Sequence, residues 1–180
     1  MKVDLFSVTT DQLRAELAAD LSRGGYVYRE QVAPDGGGRR YFDKYLVLSR
    51  PGLITRAARL LIDLLPGDCE RIAVTGIASS ALGASLSQET GVPLLLGLDE
   101  GAQGLRFGGE TFSRIRAVLL EDVVFTGRRA LAGAQSLAAA GASVSTVLCL
   151  LDREAGGARR LAEAGYPLRS LFTEAQLLAS

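Results

Sequence analysis

The sequence contains no histidine and only two cysteines, Cys69 and Cys149. Without an imidazole, the chain cannot perform Ser-His-Asp or Cys-His catalysis or bind a metal through histidine. Two cysteines without the spacing of a zinc site do not form a disulfide framework, so they favour a reducing compartment. We therefore expect a cytoplasmic location, with any acid–base chemistry left to carboxylates, Lys, Tyr or the substrate.

An excess of charge of one sign is also absent, because 20 basic residues balance 20 acidic ones. Nucleic-acid-binding proteins usually show a basic excess or a basic face, so we expect no nucleic-acid partner. No apolar run approaches the length of a membrane span, and residues 1–10 lack the pattern of a signal peptide. We expect no membrane partner. The length of 180 residues, 48% of them apolar, suits one domain with a real core.

The N-terminal part of the chain predicts a helix followed by short strands. Thr9 and Gln12 match a capping box, which marks the start of a helix. Residues 26–32 alternate well enough for a strand, and residues 41–48 are consistent with another. Pro51 suits the first turn of the next helix.

From residue 71 onward, apolar strands alternate with helical segments. The predicted strands cover residues 71–75, 92–96, 117–120, 143–151 and 168–172. Residues 97–110 hold five glycines and predict a long loop or a hairpin, and Thr173 is positioned to cap a terminal helix. Continuous apolar strands of this kind indicate a parallel sheet covered on both faces, whose ligands bind at the carboxyl ends of the strands.

Two adjacent carboxylates, Glu121 and Asp122, follow the third of these strands. At a strand's carboxyl end they are able to accept hydrogen bonds from sugar hydroxyls. The loop Phe125–Arg129 leads into a helix, whose free N–H groups and dipole favour a phosphate. Arg128 and Arg129 would add charge-assisted bonds. The alternative is that the acids only begin a turn and the arginines are solvated residues of the helix surface.

These residues resemble a known family. The segment from Leu119 to Gly127, with two acids, a spacer and Thr-Gly, resembles the phosphoribosyl pyrophosphate motif of type I phosphoribosyltransferases. Residues 40–45, 152–158 and 167–173 resemble segments of the orotate phosphoribosyltransferases. The likeness runs in order over about residues 40–175, which is far more specific than an acidic pair alone.

The resemblance implies an α/β chain of the type I phosphoribosyltransferase fold, with a central, mainly parallel sheet flanked by helices. It implies one domain, with an N-terminal helix and hood segment over residues 1–45 and a core over 46–180. The family reaction is Mg²⁺-dependent: a nucleobase nitrogen displaces pyrophosphate from carbon 1 of phosphoribosyl pyrophosphate, which gives a nucleotide. The implied partners are that compound or a nucleotide, a nucleobase, and a second copy of the chain in a homodimer.

The resemblance also implies roles for individual residues. Glu121 and Asp122 would be the catalytic pair that holds the ribose hydroxyls, and no protein ligand set for Mg²⁺ stands out, so the metal would come through the substrate. The implied substrate-binding residues are Lys44, Gly76, Ala78, Ser79, Val123, Val124, Phe125, Thr126, Gly127, Arg128 and Arg129.

The sequence departs from the family pattern at three loops. After Thr-Gly the family continues with Gly and a small polar residue, whereas this chain has Arg128 and Arg129, and Phe125 replaces a small polar residue. The loop at 75–81 lacks the family's second glycine and its proline. The family's mobile basic loop corresponds to residues 98–106, which hold two acids and one arginine.

The altered loops leave three hypotheses. The first is an active phosphoribosyltransferase that acts on orotate or another base, and the second is an inactive nucleotide-binding regulator or partner subunit. The third, a phosphate-binding α/β enzyme of another class, does not explain the C-terminal likeness. Because preorganised positive charge on a leaving polyanion is usually a large catalytic term, we expect weak or absent turnover with orotate.

Overall fold

The computed structural model describes residues 9–23, 29–32, 38–99, 105–110 and 113–180. The helices are α1 Thr10–Arg23, α2 Lys44–Leu48, α3 Pro51–Ile62, α4 Ile77–Thr90, α5 Arg128–Ala139, α6 Gly157–Glu163 and α7 Glu174–Leu178. The strands are β1 Arg29–Val32, β2 Gly38–Tyr41, β3 Arg71–Val74, β4 Leu94–Asp99, β5 Leu105–Gly108, β6 Arg116–Val124, β7 Ser143–Asp152 and β8 Leu168–Thr173. None of these helices is long and apolar enough to cross a bilayer.

A six-stranded sheet forms the centre of the fold, in the order β5-β4-β3-β6-β7-β8. Adjacent strands in this sheet are parallel, except for β4 and β5, which are antiparallel. Helices α4, α5 and α6 connect successive parallel strands. A separate two-stranded antiparallel sheet pairs β1 with β2. The predicted α/β architecture with a mainly parallel sheet is confirmed.

Both faces of the sheet are covered by apolar side chains, which explains why the strands have continuous apolar sequences. Val118 and Leu120 of β6 lie in one core cluster, whereas Leu119 lies in the other, as the two-residue period of a strand requires. Ala134 and Leu137 of α5 join Leu119 on the second face. Core packing therefore fixes β6 on both of its faces just before Glu121 and Asp122.

The predicted strand at 41–48 is wrong beyond its first residue. β2 ends at Tyr41, and residues 44–48 form α2. Asp43 is the N-cap of this helix, because its Oδ1 accepts a hydrogen bond from the amide of Leu46 at 3.0 Å. A side chain that satisfies a free amide in this way stabilises a helix start over an extended strand. Lys44 is the first residue of α2 and thereby acquires a fixed position.

The third predicted strand is longer in the structure than the sequence indicated. β6 continues through Val124, because its parallel pairing with β7 extends from Glu121 opposite Cys149 to Val124 opposite Asp152. β3, the other neighbour of β6, already ends at Val74. Glu121 and Asp122 thus lie near the carboxyl end of β6 itself and not in a loop after it.

Two predicted helix caps are confirmed. Thr9 and Gln12 exchange hydrogen bonds at the start of α1, with the Gln12 amide 3.2 Å from the Thr9 hydroxyl and the Thr9 amide 2.9 Å from the Gln12 side chain. Thr173 and Gln176 form the same arrangement before α7. Leu17 of α1 shares the first core cluster, but the domain boundary near residue 45 stays a prediction.

The glycine-rich segment at 97–110 contains two paired strands, as the hairpin alternative requires. β4 and β5 are antiparallel, with Asp99 opposite Leu105 and Leu98 opposite Arg106. Residues 100–104 lie outside the described part of the chain, and with them Glu100.

Candidate functional site

The predicted acidic pair is almost completely buried at the carboxyl edge of the sheet. Glu121 and Asp122 are each 1% exposed. An ionised carboxylate that is removed from water needs charged or hydrogen-bonding partners to remain ionised. The contacts of the four carboxylate oxygens therefore define what this site is able to bind.

Glu121 has a partner on each oxygen. The hydroxyl of Thr75, just after β3, donates to Oε1. Nη2 of Arg129 donates to Oε2 at 2.7 Å. Both partners come from segments that follow strands or begin helices next to β6, so the sheet topology brings them together.

Asp122 also has partners on both oxygens. Its Oδ1 accepts from the amide of Val123 at 2.7 Å and from Nη2 of Arg129 at 3.1 Å. Its Oδ2 forms an ion pair with Nζ of Lys44 at 2.7 Å. Two cations thus face two carboxylates, and this cluster of four groups has no net charge.

Lys44 reaches the acidic pair from the N-terminal part of the chain. Its side chain is only 21% exposed, so Lys44 is not an ordinary surface lysine. Its Nζ also lies 5.4 Å from the ring centroid of Tyr45. Lys44 is therefore part of the site, although its predicted contact is to substrate and the structure shows a contact to Asp122.

Arg129 lies between the two loops that the sequence singled out. Its guanidinium packs against Gly76, where an added Cβ would be 3.5 Å from Nη1. Burial opposes the charge of Arg129, but the hydrogen bond and Coulomb attraction of Glu121 outweigh it, so the pKa of Arg129 is raised above its ordinary value. The side chain still remains 51% exposed. It is a charged group held by buried acids at the rim of an open cleft.

The loop before α5 depends on a glycine. Gly127 caps α5 with φ of 72°, in the left-handed region that favours glycine. A Cβ at this position would lie 2.9 Å from the carbonyl oxygen of Gly157, at the start of α6. The backbone of 125–127 is therefore packed tightly against the next βα unit.

A cleft of about 350 Å³ gathers most of the predicted residues. Its lining is Phe42, Lys44, Glu121, Val123, Val124, Phe125, Thr126, Gly127, Arg128, Arg129, Ala130 and Arg153. Asp122 lies directly behind this lining, in contact with Lys44 and Arg129.

Three predicted substrate-binding residues, Gly76, Ala78 and Ser79, do not line the cleft, and Gly76 instead packs against Arg129. Ala78 is buried in the core of the first cluster. The Ser79 hydroxyl accepts from the amide of Gly76 at 3.0 Å and so caps α4. The roles of all three in binding stay predictions, and the described geometry assigns Ala78 and Ser79 to the start of α4.

Four residues of the site have no role in the sequence-based prediction: Thr75, Phe42, Ala130 and Arg153. Thr75 and Arg153 directly follow β3 and β7, so the rule that ligands bind at the carboxyl ends of strands would have found both. Arg153 stacks on Phe125, with 5.4 Å from its guanidinium carbon to the ring centroid, and pairs with Glu174 at 3.3 Å. No comparable signal marks Phe42.

Comparison with known proteins identifies the family. No family model matches the chain, but curated relatives match most of its length. The orotate phosphoribosyltransferase of a Nocardioides species is 34% identical over 144 residues, which cover 78% of this chain and 80% of that protein. The chain belongs to the orotate phosphoribosyltransferase family. The Halobacterium salinarum orotate phosphoribosyltransferase is 30% identical over 175 residues, covering 96% of this chain and 98% of that protein.

Solved structures of orotate phosphoribosyltransferases share this fold. The enzyme from Aeropyrum pernix superposes with a TM-score of 0.77 at 25% identity, over 91% of this chain and 97% of that one. Mycobacterium tuberculosis orotate phosphoribosyltransferase in complex with 5-phospho-alpha-D-ribosyl 1-diphosphate gives a TM-score of 0.77 at 22% identity, over 92% and 98%. The predicted type I phosphoribosyltransferase fold is confirmed.

The described residues do not form a site for the Mg²⁺ that the family implies. Mg²⁺ requires near-octahedral oxygen ligands and keeps several waters. Each oxygen of Glu121 and Asp122 already faces a donor or a cation. Across the described ranges, no group of three or more His, Cys, Asp or Glu side chains stands together. An ion at this cleft would have to arrive with the phosphates of a ligand.

Proposed function

We propose that the chain is an orotate phosphoribosyltransferase-like protein that binds a phosphoribosyl compound in this cleft. The observation that carries the proposal is the convergence of the acidic pair, the loop before α5 and Lys44 in one cleft at the carboxyl edge of the sheet. In the family reaction, a base nitrogen forms a bond to carbon 1 of phosphoribosyl pyrophosphate, while the bond to pyrophosphate breaks. The products are a nucleotide and pyrophosphate.

The 5′-phosphate is proposed to bind at Phe125–Arg129. α5 has 12 residues, so its dipole and first free amides favour an anion at its start. Arg128 is exposed there and lines the cleft. The volume of about 350 Å³ is within the range of small-molecule sites. The ribose would then lie toward Glu121 and Asp122, which belong to β6, the strand that precedes this loop.

Charge at the opposite end of the sugar limits the proposed activity. Pyrophosphate leaves as a polyanion, and a closed site needs positive charge to stabilise it. The described part of the hairpin contributes Asp99, opposite Leu105, and Arg106, opposite Leu98. In the sequence, Glu100 directly follows Asp99. We therefore propose slow turnover. Mg²⁺ carried by the substrate would supply part of the missing charge.

A calorimetric titration tests the binding proposal. Phosphoribosyl pyrophosphate, ribose 5-phosphate, orotate and nucleoside monophosphates are titrated with and without Mg²⁺. Arg128→Glu is expected to weaken every phosphorylated ligand by about ten-fold, because it reverses a charge next to the phosphate. Arg23→Glu, at the exposed end of α1 and outside the cleft lining, is the matched control and should leave affinity unchanged.

A steady-state assay with phosphoribosyl pyrophosphate, Mg²⁺, orotate and a panel of other bases tests the reaction. Nucleotide formation that equals pyrophosphate release supports transfer, and the productive base names the substrate. Binding without turnover for any base supports the inactive nucleotide-binding alternative. Absence of both binding and turnover overturns the proposal. The homodimer remains a proposal that rests on the family resemblance, and sedimentation analysis tests it. The cytoplasmic location remains a proposal that rests on the two cysteines.

A further inference from the structure

The contacts of Arg129 carry an inference that deepens the proposed function and rests on it. Ribose hydroxyls bind acidic side chains by donating hydrogen bonds to carboxylate oxygens, and each such bond needs an accessible oxygen. Here Arg129 is in contact with both acids through a single nitrogen, Nη2. The same side chain covers Gly76, so it occupies the space between the acidic pair and the loop at 75–79.

The remaining oxygens are also engaged. Thr75 holds Oε1 of Glu121, and Lys44 pairs with Oδ2 of Asp122. Because both carboxylates are only 1% exposed, a ribose diol reaches their oxygens only when one of these groups moves aside. The carboxylates themselves are fixed, because they are buried in the β6 ladder between β3 and β7.

Arg129 is the group that is able to leave. Its side chain is 51% exposed and lies at the cleft, whereas that of Lys44 is only 21% exposed. An arginine side chain has four rotatable bonds and regains hydration when it swings outward. The neutral hydroxyls that replace it do not compensate the two buried charges as a guanidinium does. The exchange is therefore unfavourable, and the ribose contributes little to binding.

We propose that Arg129 is a specificity-determining residue, which competes with the ribose hydroxyls for Glu121 and Asp122. The chain then recognises its ligand through the phosphate, and the sugar diol adds little affinity. Removing Arg129 frees oxygens of Glu121, which lines the cleft, and of Asp122 directly behind it, and creates selectivity for ribose. Arg128, one position earlier in the same helical turn, lacks any contact with the acids and acts on the phosphate alone.

Titration with two sugar phosphates tests this directly. The probes are ribose 5-phosphate and 2-deoxyribose 5-phosphate, which differ by one hydroxyl, and the variants are Arg129→Ser and the matched control Arg128→Ser. The measured quantity is the ratio of the two affinities for each protein. A uniform loss of stability or of positive charge changes both affinities equally and leaves the ratio unchanged.

For the wild type and for Arg128→Ser, we expect a ratio below about three-fold, although Arg128→Ser weakens both ligands. For Arg129→Ser, we expect at least about a ten-fold preference for ribose 5-phosphate, the size of a hydrogen bond to a charged acceptor. Arg129→Lys should fall between them, because an ammonium meets one carboxylate but not both.

Three outcomes overturn the inference. A ten-fold preference for ribose 5-phosphate in the wild type shows that Arg129 does not block the diol, and this result needs no variant to fold. If folded Arg129→Ser has the same ratio of affinities for the two sugar phosphates as the wild type, Arg129 does not compete with the ribose hydroxyls. If neither sugar phosphate binds the wild type or any folded variant, the proposed function itself fails, and the inference with it.

Discussion

Replacing Lys44 by Met removes the cation that pairs with Oδ2 of Asp122, a buried oxygen without a hydrogen-bond partner among the described residues. The Met side chain keeps the apolar stem of lysine but leaves Oδ2 of Asp122 without its ion-pair partner at 2.7 Å. Breaking a buried ion pair by removing one member costs about 3–5 kcal/mol. Lys44 is partly exposed, and Asp122 keeps the Val123 amide and Arg129, so we expect a loss of about 2 kcal/mol.

For a chain of this size, a loss of about 2 kcal/mol lowers the melting temperature by about 4–8 °C. Thermal and urea denaturation measure it. Arg159→Met is the matched control, because Arg159 pairs with Glu163 at 3.8 Å on the surface, where both side chains are more than two-thirds exposed. Exposed pairs of this kind contribute little, so the control should stay within about 0.5 kcal/mol of the wild type.

A double-mutant cycle with Asp122→Asn separates the contribution of the Lys44–Asp122 ion pair to stability from the other effects of the Lys44 substitution. Once the carboxylate is neutral, Lys44→Met should cost at least about 1 kcal/mol less than it does in the wild-type background. If Lys44→Met is no more destabilising than Arg159→Met, or if the cycle shows no coupling, the ion pair does not stabilise the fold and the buried charge has another partner.

Three further predictions concern the loop, the core thiol and turnover. Gly127→Ala should destabilise by about 2 kcal/mol or more in urea denaturation, because of its positive φ and its contact with Gly157, whereas Gly52→Ala, with open space around its Cβ position, should stay within about 0.5 kcal/mol. Burial raises the pKa of the Cys149 thiol well above its ordinary value, so the unfolded state loses this proton first. The free energy of unfolding should therefore fall as the pH rises past the ordinary thiol value of 9.0, and less steeply in Cys149→Ala. Turnover with orotate should stay below about one per second in a steady-state assay, and an ordinary enzyme rate would show that another cation reaches the pyrophosphate.

The arrangement of the sheet could be predicted because each strand carries its own signal. An apolar run such as Val147–Leu151 is buried on both faces, and only a parallel sheet between two helical layers provides that environment. The position of the acids at the carboxyl edge followed from the same rule. The strand predicted at 41–48 is wrong because a single side-chain cap at Asp43 decides between helix and strand, and the apolar pattern there is too short to do so.

The pairing inside the site could not be predicted, because it depends on side-chain directions and on contacts between distant segments. Lys44 and Asp122 are far apart in sequence, and no periodicity relates them. The sequence placed Arg128 and Arg129 together as candidates for the phosphate, yet one helical step of about 100° separates their directions. Arg128 is left at the cleft surface, and Arg129 turns toward Glu121.

Because Arg129 turns toward Glu121 and Asp122, the motif of two acids followed by Thr-Gly does not by itself predict ribose binding in this chain. Two acids followed by Thr-Gly have the same sequence pattern whether their oxygens are open or engaged, so the motif alone does not establish ribose recognition. In this chain, Arg129 supplies the acids with a counter-ion from the first turn of α5. A retained motif whose acceptors are all engaged is consistent with a protein that keeps the family's fold and its phosphate end. We expect such a protein to bind the sugar more weakly than the motif alone would predict.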